Sequence, residues 1–190
     1  MNEGNVMIVG VGGQGSLLAS KLLGAILTDE GFDVKVSEVH GMSQRGGSVV
    51  TYVRFSDKKV YSPLICKGEA DFIVSFEKLE AARYAECLKE GGTIVVNSQA
   101  IDPMPVITGA AEYPVNILDE LRGKGVNVDE FDALSLAKEA GSSKSANIVL
   151  MARLAKYLGL EKEKWIEAMK KVVKPDFLDM NIKAFELGYK

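Results

Sequence analysis

Histidine and cysteine are nearly missing from this chain, with one His and two Cys in 190 residues. Cys66 and Cys87 are too few for a disulfide scaffold and fit a reducing compartment. Together with His40 they cannot by themselves build a zinc or iron–sulfur site. A surplus of either charge is also missing. The 23 Lys+Arg face 26 Asp+Glu, a formal net charge of −3. Nucleic acid is therefore not expected as a partner, because phosphate binding needs a basic face. No apolar run approaches the ~18 residues of a membrane span. The start, Met-Asn-Glu-Gly, lacks the basic and apolar parts of a signal peptide. No membrane partner and a cytoplasmic location are expected. There is no internal repeat, low-complexity tract or long linker, so residues 1–190 read as a single domain.

What remains is ordinary globular material, 47% apolar and 26% charged. A chain of this length buries roughly 70% of its unfolded surface and needs no staples. Apolar strand-like runs alternate with helix-like ones. Val6 to Val9 reads as a buried strand, and residues 14 to 29 as a helix apolar on most faces. Asp33 to Val39 alternates as a strand does, and Val49 to Phe55 is β-branched and aromatic. Ser56 to Lys59 reads as a turn, with Val60-Tyr61 completing a hairpin. Asp71 to Phe76 and Thr93 to Val96 read as buried strands. They flank a helix carrying Leu79, Ala82, Tyr84 and Leu88, closed by Gly91-Gly92. The stretch from Asn97 to Pro114 holds three of the five prolines and reads as irregular. A helix near 117–122, a strand near 126–131 and three helices beyond residue 145 complete the pattern. The expected fold is a three-layer α/β/α, Rossmann-like domain with a mixed, mainly parallel sheet and a helical C-terminal third.

Two glycine segments stand out. Gly10-Val11-Gly12-Gly13-Gln14-Gly15 satisfies G-x-G-x-x-G between the first strand and first helix. Glycines there allow a tight turn and bring backbone N–H groups and a helix N-terminus toward a phosphate. A βα turn that binds nothing has the same pattern. Glu38 follows Gly15 by 23 residues, near the spacing of a ribose-binding acid, and equally reads as an exposed strand end. The second segment, His40 to Ser48, holds Ser43, Gln44, Arg45, Gly46 and Gly47. It follows the second strand and is placed beside the first loop, at the carboxyl ends of the strands. A flexible backbone with one guanidinium suits a phosphate or another protein's backbone, or simply a hairpin connection.

The machinery for difficult chemistry is missing. There is no G-x-S-x-G elbow, no Walker lysine motif and no Gly-Asp-Gly segment. No catalytic Tyr–Lys pair is evident. No catalytic and no metal-ligating residue is assigned. Three classes remain: a subunit of a larger enzyme, a stand-alone NAD(P)-dependent oxidoreductase, and a regulatory module binding coenzyme A or another nucleotide.

Gly10 to Gly15, followed by Glu38-Val-His-Gly-Met-Ser-Gln-Arg-Gly-Gly-Ser48, resembles the gamma-type subunits of 2-oxoacid:ferredoxin oxidoreductases. Met42 to Gly47 is most similar to the small (beta) subunits of the indolepyruvate enzymes within that family. Ser145-Ala146-Asn147 opening an apolar helix, and Asn181 to Tyr189, extend the resemblance over essentially the whole chain. The resemblance implies a holoenzyme that decarboxylates an aryl 2-oxoacid, passes the acyl group to coenzyme A and reduces ferredoxin. It implies a larger partner subunit carrying thiamine diphosphate and iron–sulfur clusters, with no such cofactor held by this chain alone. Gly10, Gly12, Gly13, Gln14 and Gly15 map onto the family's first loop, and Ser43, Gln44, Arg45, Gly46 and Gly47 onto its second. The isolated chain is expected to be inactive. In the last helix, Asn181, Ala184, Phe185 and Gly188 share one face, which packs against the sheet or meets the larger subunit.

Overall fold

The computed structural model describes residues 2–38 and 47–190. Six strands form one sheet in the order β2-β3-β1-β4-β5-β6. They are β1 (Glu3–Val11), β2 (Asp33–Glu38), β3 (Ser48–Ser56), β4 (Ala70–Ser75), β5 (Leu88–Asn97) and β6 (Asn127–Phe131). β1, β4, β5 and β6 pair in parallel. β3 lies antiparallel to both β1 and β2. The expected mixed sheet is therefore present, with five strands running one way and one against them.

α1 (Ser16–Asp29) follows β1, and α2 (Lys78–Arg83) links β4 to β5. α3 (Met104–Ile107) and α4 (Ile117–Gly123) precede β6. α5 (Ala133–Ala140), α6 (Ala146–Leu158), α7 (Lys162–Val172) and α8 (Pro175–Tyr189) follow it. Side chains alternate across a strand, so β1 divides its apolar residues between two cores. Val6 and Ile8 join α1 and the C-terminal helices around Leu22, Ile26, Trp165 and Phe185. Met7 and Val9 face the other way, toward Ala81, Leu118 and Leu121 of α2 and α4. The three layers are unequal, with the helical C-terminal third adding to one face only.

α1 is buried on two sides, as its near-absence of a polar face predicts. The sheet covers one side and α7 the other. Lys164 reaches Glu30 at 2.8 Å and Lys171 reaches Asp29 at 2.7 Å across this seam.

Four sequence expectations need correction. Val60-Tyr61 form no strand, and the partners of β3 are β1 and β2 instead. The helix after β4 does not reach Leu88. It ends at Arg83, a 3₁₀ turn covers Ala85–Cys87, and Leu88 already belongs to β5. Gly91-Gly92 thus lie inside a strand, where the β4–β5 register shifts. α5 was not anticipated at all. Finally, α8 packs chiefly on α6 rather than on the sheet. A Cβ on Gly188 would lie 2.5 Å from the Val149 carbonyl oxygen, so the two helices meet backbone to backbone. No helix among the described residues is long and apolar enough to cross a membrane.

Candidate functional site

The first glycine segment is closed by its own glutamine. The Gln14 Oε1 accepts the Val11 N–H at 2.7 Å, and the Gln14 Nε2 donates to the Phe76 carbonyl at 3.4 Å. Gly10 makes room for this clamp, since a Cβ there would meet Gln14 Oε1 at 2.8 Å and Phe76 Cβ at 2.9 Å. Gly12 donates its N–H to the Gly47 carbonyl at 3.0 Å. Gly10, Gly12 and the Gln14 amide therefore shape the turn. Gly15 caps α1 in the left-handed region, at φ 88°. No side chain caps that helix and no acid stands in its first turn, so its N-terminal partial charge is left uncompensated by either.

Gly13, Gln14 and Gly15 open onto a cleft of about 420 Å³ with Phe76, Asn97 and Lys144 on its walls. Its place follows from the topology. The chain leaves β1 through α1 toward one edge of the sheet, and β4, β5 and β6 extend toward the other. The cleft sits beyond the carboxyl ends of β1, β4 and β5, where such a reversal leaves a crevice. Asn97, at the end of β5, donates to the Phe76 carbonyl at 3.2 Å and accepts the Ala133 N–H at 3.0 Å. Asn147, in the first turn of α6, donates to the Gly15 carbonyl at 3.1 Å. The starts of α1 and α6 are thereby held side by side. Lys144, on the 3₁₀ turn before α6, is the cation of this cleft among the described residues.

Behind the cleft a buried carboxylate anchors the irregular segment after β5. Glu77 is 1% exposed and caps α2 by accepting the Glu80 N–H at 2.9 Å. It also accepts the Ile101 N–H at 3.1 Å and the Tyr113 hydroxyl. Burial, then the hydrogen bond to Glu77, pushes the Tyr113 hydroxyl well above the usual phenol range. The same segment leaves Met104, Ile107 and Val115 exposed. Glu80 in turn holds Ser48, next to Gly47, through its carboxylate, and Arg83 at 3.1 Å.

The candidate residues thus separate. Gly13, Gln14 and Gly15 line the cleft; Gly10 and Gly12 support them. Gly47 lies against the first loop, as the sequence places it. Ser43, Gln44, Arg45, Gly46 and His40 lie outside the described residues. Glu38 does not join this cleft. It accepts a hydrogen bond from Ser20 and lines a separate groove along α1 and β2. The reason is the inserted β3, which moves β2 one strand spacing, ~4.8 Å, further from β1.

Residues 5–190 match the family described as pyruvate ferredoxin/flavodoxin oxidoreductase. The chain belongs to that family. It is 46% identical to indolepyruvate oxidoreductase subunit IorB of Thermococcus kodakarensis, over 100% of this chain and 96% of that one. Its fold is shared with the keto/oxoacid ferredoxin oxidoreductase gamma subunit of Geobacter sulfurreducens. That protein is 24% identical, with a TM-score of 0.75 covering 100% of this chain and 95% of the other. The fold also matches 2-oxoglutarate:ferredoxin oxidoreductase of Magnetococcus marinus, solved with 2-oxoglutarate, coenzyme A and succinyl-CoA bound. There the identity is 20% and the TM-score 0.73, over 99% of this chain and 30% of the larger one.

Within this family fold, sequence reasoning missed Asn97, Lys144 and the Glu77–Tyr113 pair. The polar run Ser142-Ser143-Lys144-Ser145 ahead of an apolar helix was the available signal for Lys144. Nothing local marks Asn97 or Tyr113, whose bonds to Phe76, Ala133 and Glu77 span 21 to 36 residues.

Proposed function

We propose that this chain is the small subunit, without a redox centre, of an indolepyruvate-type 2-oxoacid:ferredoxin oxidoreductase. In that role residues 1–190 act as one unit. The holoenzyme carries out coenzyme A-dependent oxidative decarboxylation of an aryl 2-oxoacid, yielding acyl-CoA and CO2 and reducing ferredoxin. Thiamine diphosphate, which supplies carbanion stabilisation, and the iron–sulfur clusters belong to the larger subunit. Two cysteines are too few to ligate a cluster here.

The observation that carries the reading is the cleft at the chain reversal. An uncapped helix start at Gly15, the start of α6 and Lys144 converge there, with no acid lining it among the described residues. That combination suits a phosphate group, and coenzyme A is the phosphate-bearing substrate of the reaction. Lys144 and backbone N–H groups of the Gly13–Gly15 turn would hold it. Gly47 beside the first loop supports giving the second segment, Arg45 included, a role in contacting an anion or the partner subunit.

Titration with coenzyme A tests the reading. Lys144→Ala is expected to weaken binding about 5- to 10-fold, with Tm unchanged, because one exposed charge-assisted contact is lost. Dephospho-coenzyme A and NADH serve as comparisons. Tight NADH binding without coenzyme A binding would replace the reading with a nicotinamide one. Purification from the native source with a large iron–sulfur partner tests the subunit assignment separately.

A further inference from the structure

A second groove, of about 420 Å³, opens on the far side of Lys144. Its floor is apolar, built by Leu18 of α1, Val173 of the α7–α8 link and Phe177 and Met180 of α8. Phe177 is 51% exposed, an unusual place for a large aromatic side chain. Ser145 and Asn181 line the same groove although each is at least nine-tenths buried. The Asn181 amide nitrogen is engaged by the Phe177 carbonyl at 2.8 Å. Its Oδ1 and the Ser145 hydroxyl have no partner among the described residues. On the rim stand Lys144 and Lys174, neither with an acidic partner among the described residues.

Of the segments singled out in the sequence, Ser145 and Asn181 are residues that the phosphate cleft does not use. Asn147 braces Gly15, while Ser145 and Asn181 turn to the groove. The chemistry of the walls is specific. Phe177 and the Met180 thioether are side chains suited to contact a flat apolar body. Two lysines among the lining residues, with no acid beside them in the described lining, suit an anion. The amide oxygen of Asn181, on a side chain otherwise buried, is free to accept an N–H or O–H from a ligand in the groove.

We propose that this groove is a binding site for a small aryl carboxylate, with its carboxylate at Lys144 and Lys174 and its ring on Phe177. A hydrogen-bond donor on the ring, such as an indole N–H or a phenol, meets Asn181. The groove adjoins the cleft at Gly13–Gly15 and shares Lys144 with it, while Lys174, Phe177 and Asn181 belong to the groove alone, so the proposal stands whether or not that cleft takes coenzyme A.

Indole-3-acetate and phenylacetate, titrated into the full chain and followed by amide NMR, test it. Saturable shifts confined to residues 142–147 and 172–181 are expected, with half-saturation near 1 mM or below, about the affinity of a ligand of a dozen heavy atoms. Indole-3-acetate should bind more tightly than phenylacetate. Phe177→Ala should weaken binding about fivefold, and Lys174→Glu about tenfold. Both side chains are exposed, so the fold is retained. Shifts of the Gly12–Ser16 amides by coenzyme A should be the same in both variants. The proposal is overturned by an absence of saturable shifts, or by unchanged affinity in both variants. It is also overturned if the groove amides answer to coenzyme A but to neither acid; the groove would then belong to the nucleotide.

Discussion

Gly15 is required twice over. Its φ of 88° excludes a comfortable side chain, and a Cβ would lie 2.7 Å from the Asn147 amide nitrogen. Gly15→Ala is expected to lower stability by about 1–2 kcal/mol and to separate the starts of α1 and α6. Weaker coenzyme A binding, beyond any loss of Tm, is the check. Gly188→Ala sets a Cβ against the Val149 backbone and should cost about 2 kcal/mol, a fall in Tm of about 4–8 °C by calorimetry. Tyr113 offers a titration test. Its neutral form is favoured in the fold, so its contribution to stability is present below the ordinary phenol pKa of 10.0 and is lost as pH rises through the raised value. Spectrophotometric titration of Tyr113→Phe should lose a tyrosine that ionises late. At this scale the glycines were legible because their spacing is fixed by a turn. The role of Gln14 was not. A residue between two glycines in a phosphate-loop pattern reads as ligand-facing; Gln14 does line the cleft, but its amide also closes the turn onto Val11 and Phe76, which the pattern does not reveal.

Among the elements, the strands were legible and their pairing was not. Asp33 to Val39 and Val49 to Phe55 both read as strands, yet the short turn at Ser56 to Lys59 points to Val60-Tyr61 as the antiparallel partner. The longer connection won, since it lets β3 bury Val53 and Phe55 between β1 and β2. Gly91-Gly92 misled in the same way. After an apolar helical pattern glycines read as a stop, but here a Cβ on Gly92 would crowd Leu88 and the Asp71 carbonyl at an irregularity in β5. α5 escaped notice because it is short and its buried face is only Ala133, Ala137 and Ala140. Its start is held by Asp132, whose carboxyl is kept below its ordinary value by the Ser135 hydroxyl and N–H. A lowered value stabilises the fold above the ordinary pKa of 3.8, and the gain is lost as pH falls through the folded value. The protection factor of the Ser135 amide, its rate taken relative to intrinsic exchange at the same pH, should therefore fall at acid pH, and Asp132→Ala should lower it at neutral pH by about 1 kcal/mol.

For the whole molecule, the alternation of strand and helix was enough to give the layers, and the missing redox chemistry pointed away from an independent enzyme. The large subunit's pocket, which the proposed function requires, leaves no trace in these residues. The isolated chain is accordingly expected to be colourless and inactive with any 2-oxoacid. Arg45→Ala should impair turnover or assembly of the complex while shifting the Tm of the isolated chain by no more than the ~0.5 kcal/mol of a surface change.

The larger of the two cores joins the opposite ends of the chain. Leu22 and Ile26 of α1 are enclosed with Trp165 and Phe185, and Lys164 and Lys171 pair with acids near residue 30. During synthesis, α1 therefore leaves the ribosome more than 130 residues before its cover exists. Its apolar surface has to be shielded by collapse or by a chaperone until α7 and α8 arrive. Chains stopped short of α8 would be aggregation-prone and open to degradation, so only completed chains would reach the pool from which a complex is assembled.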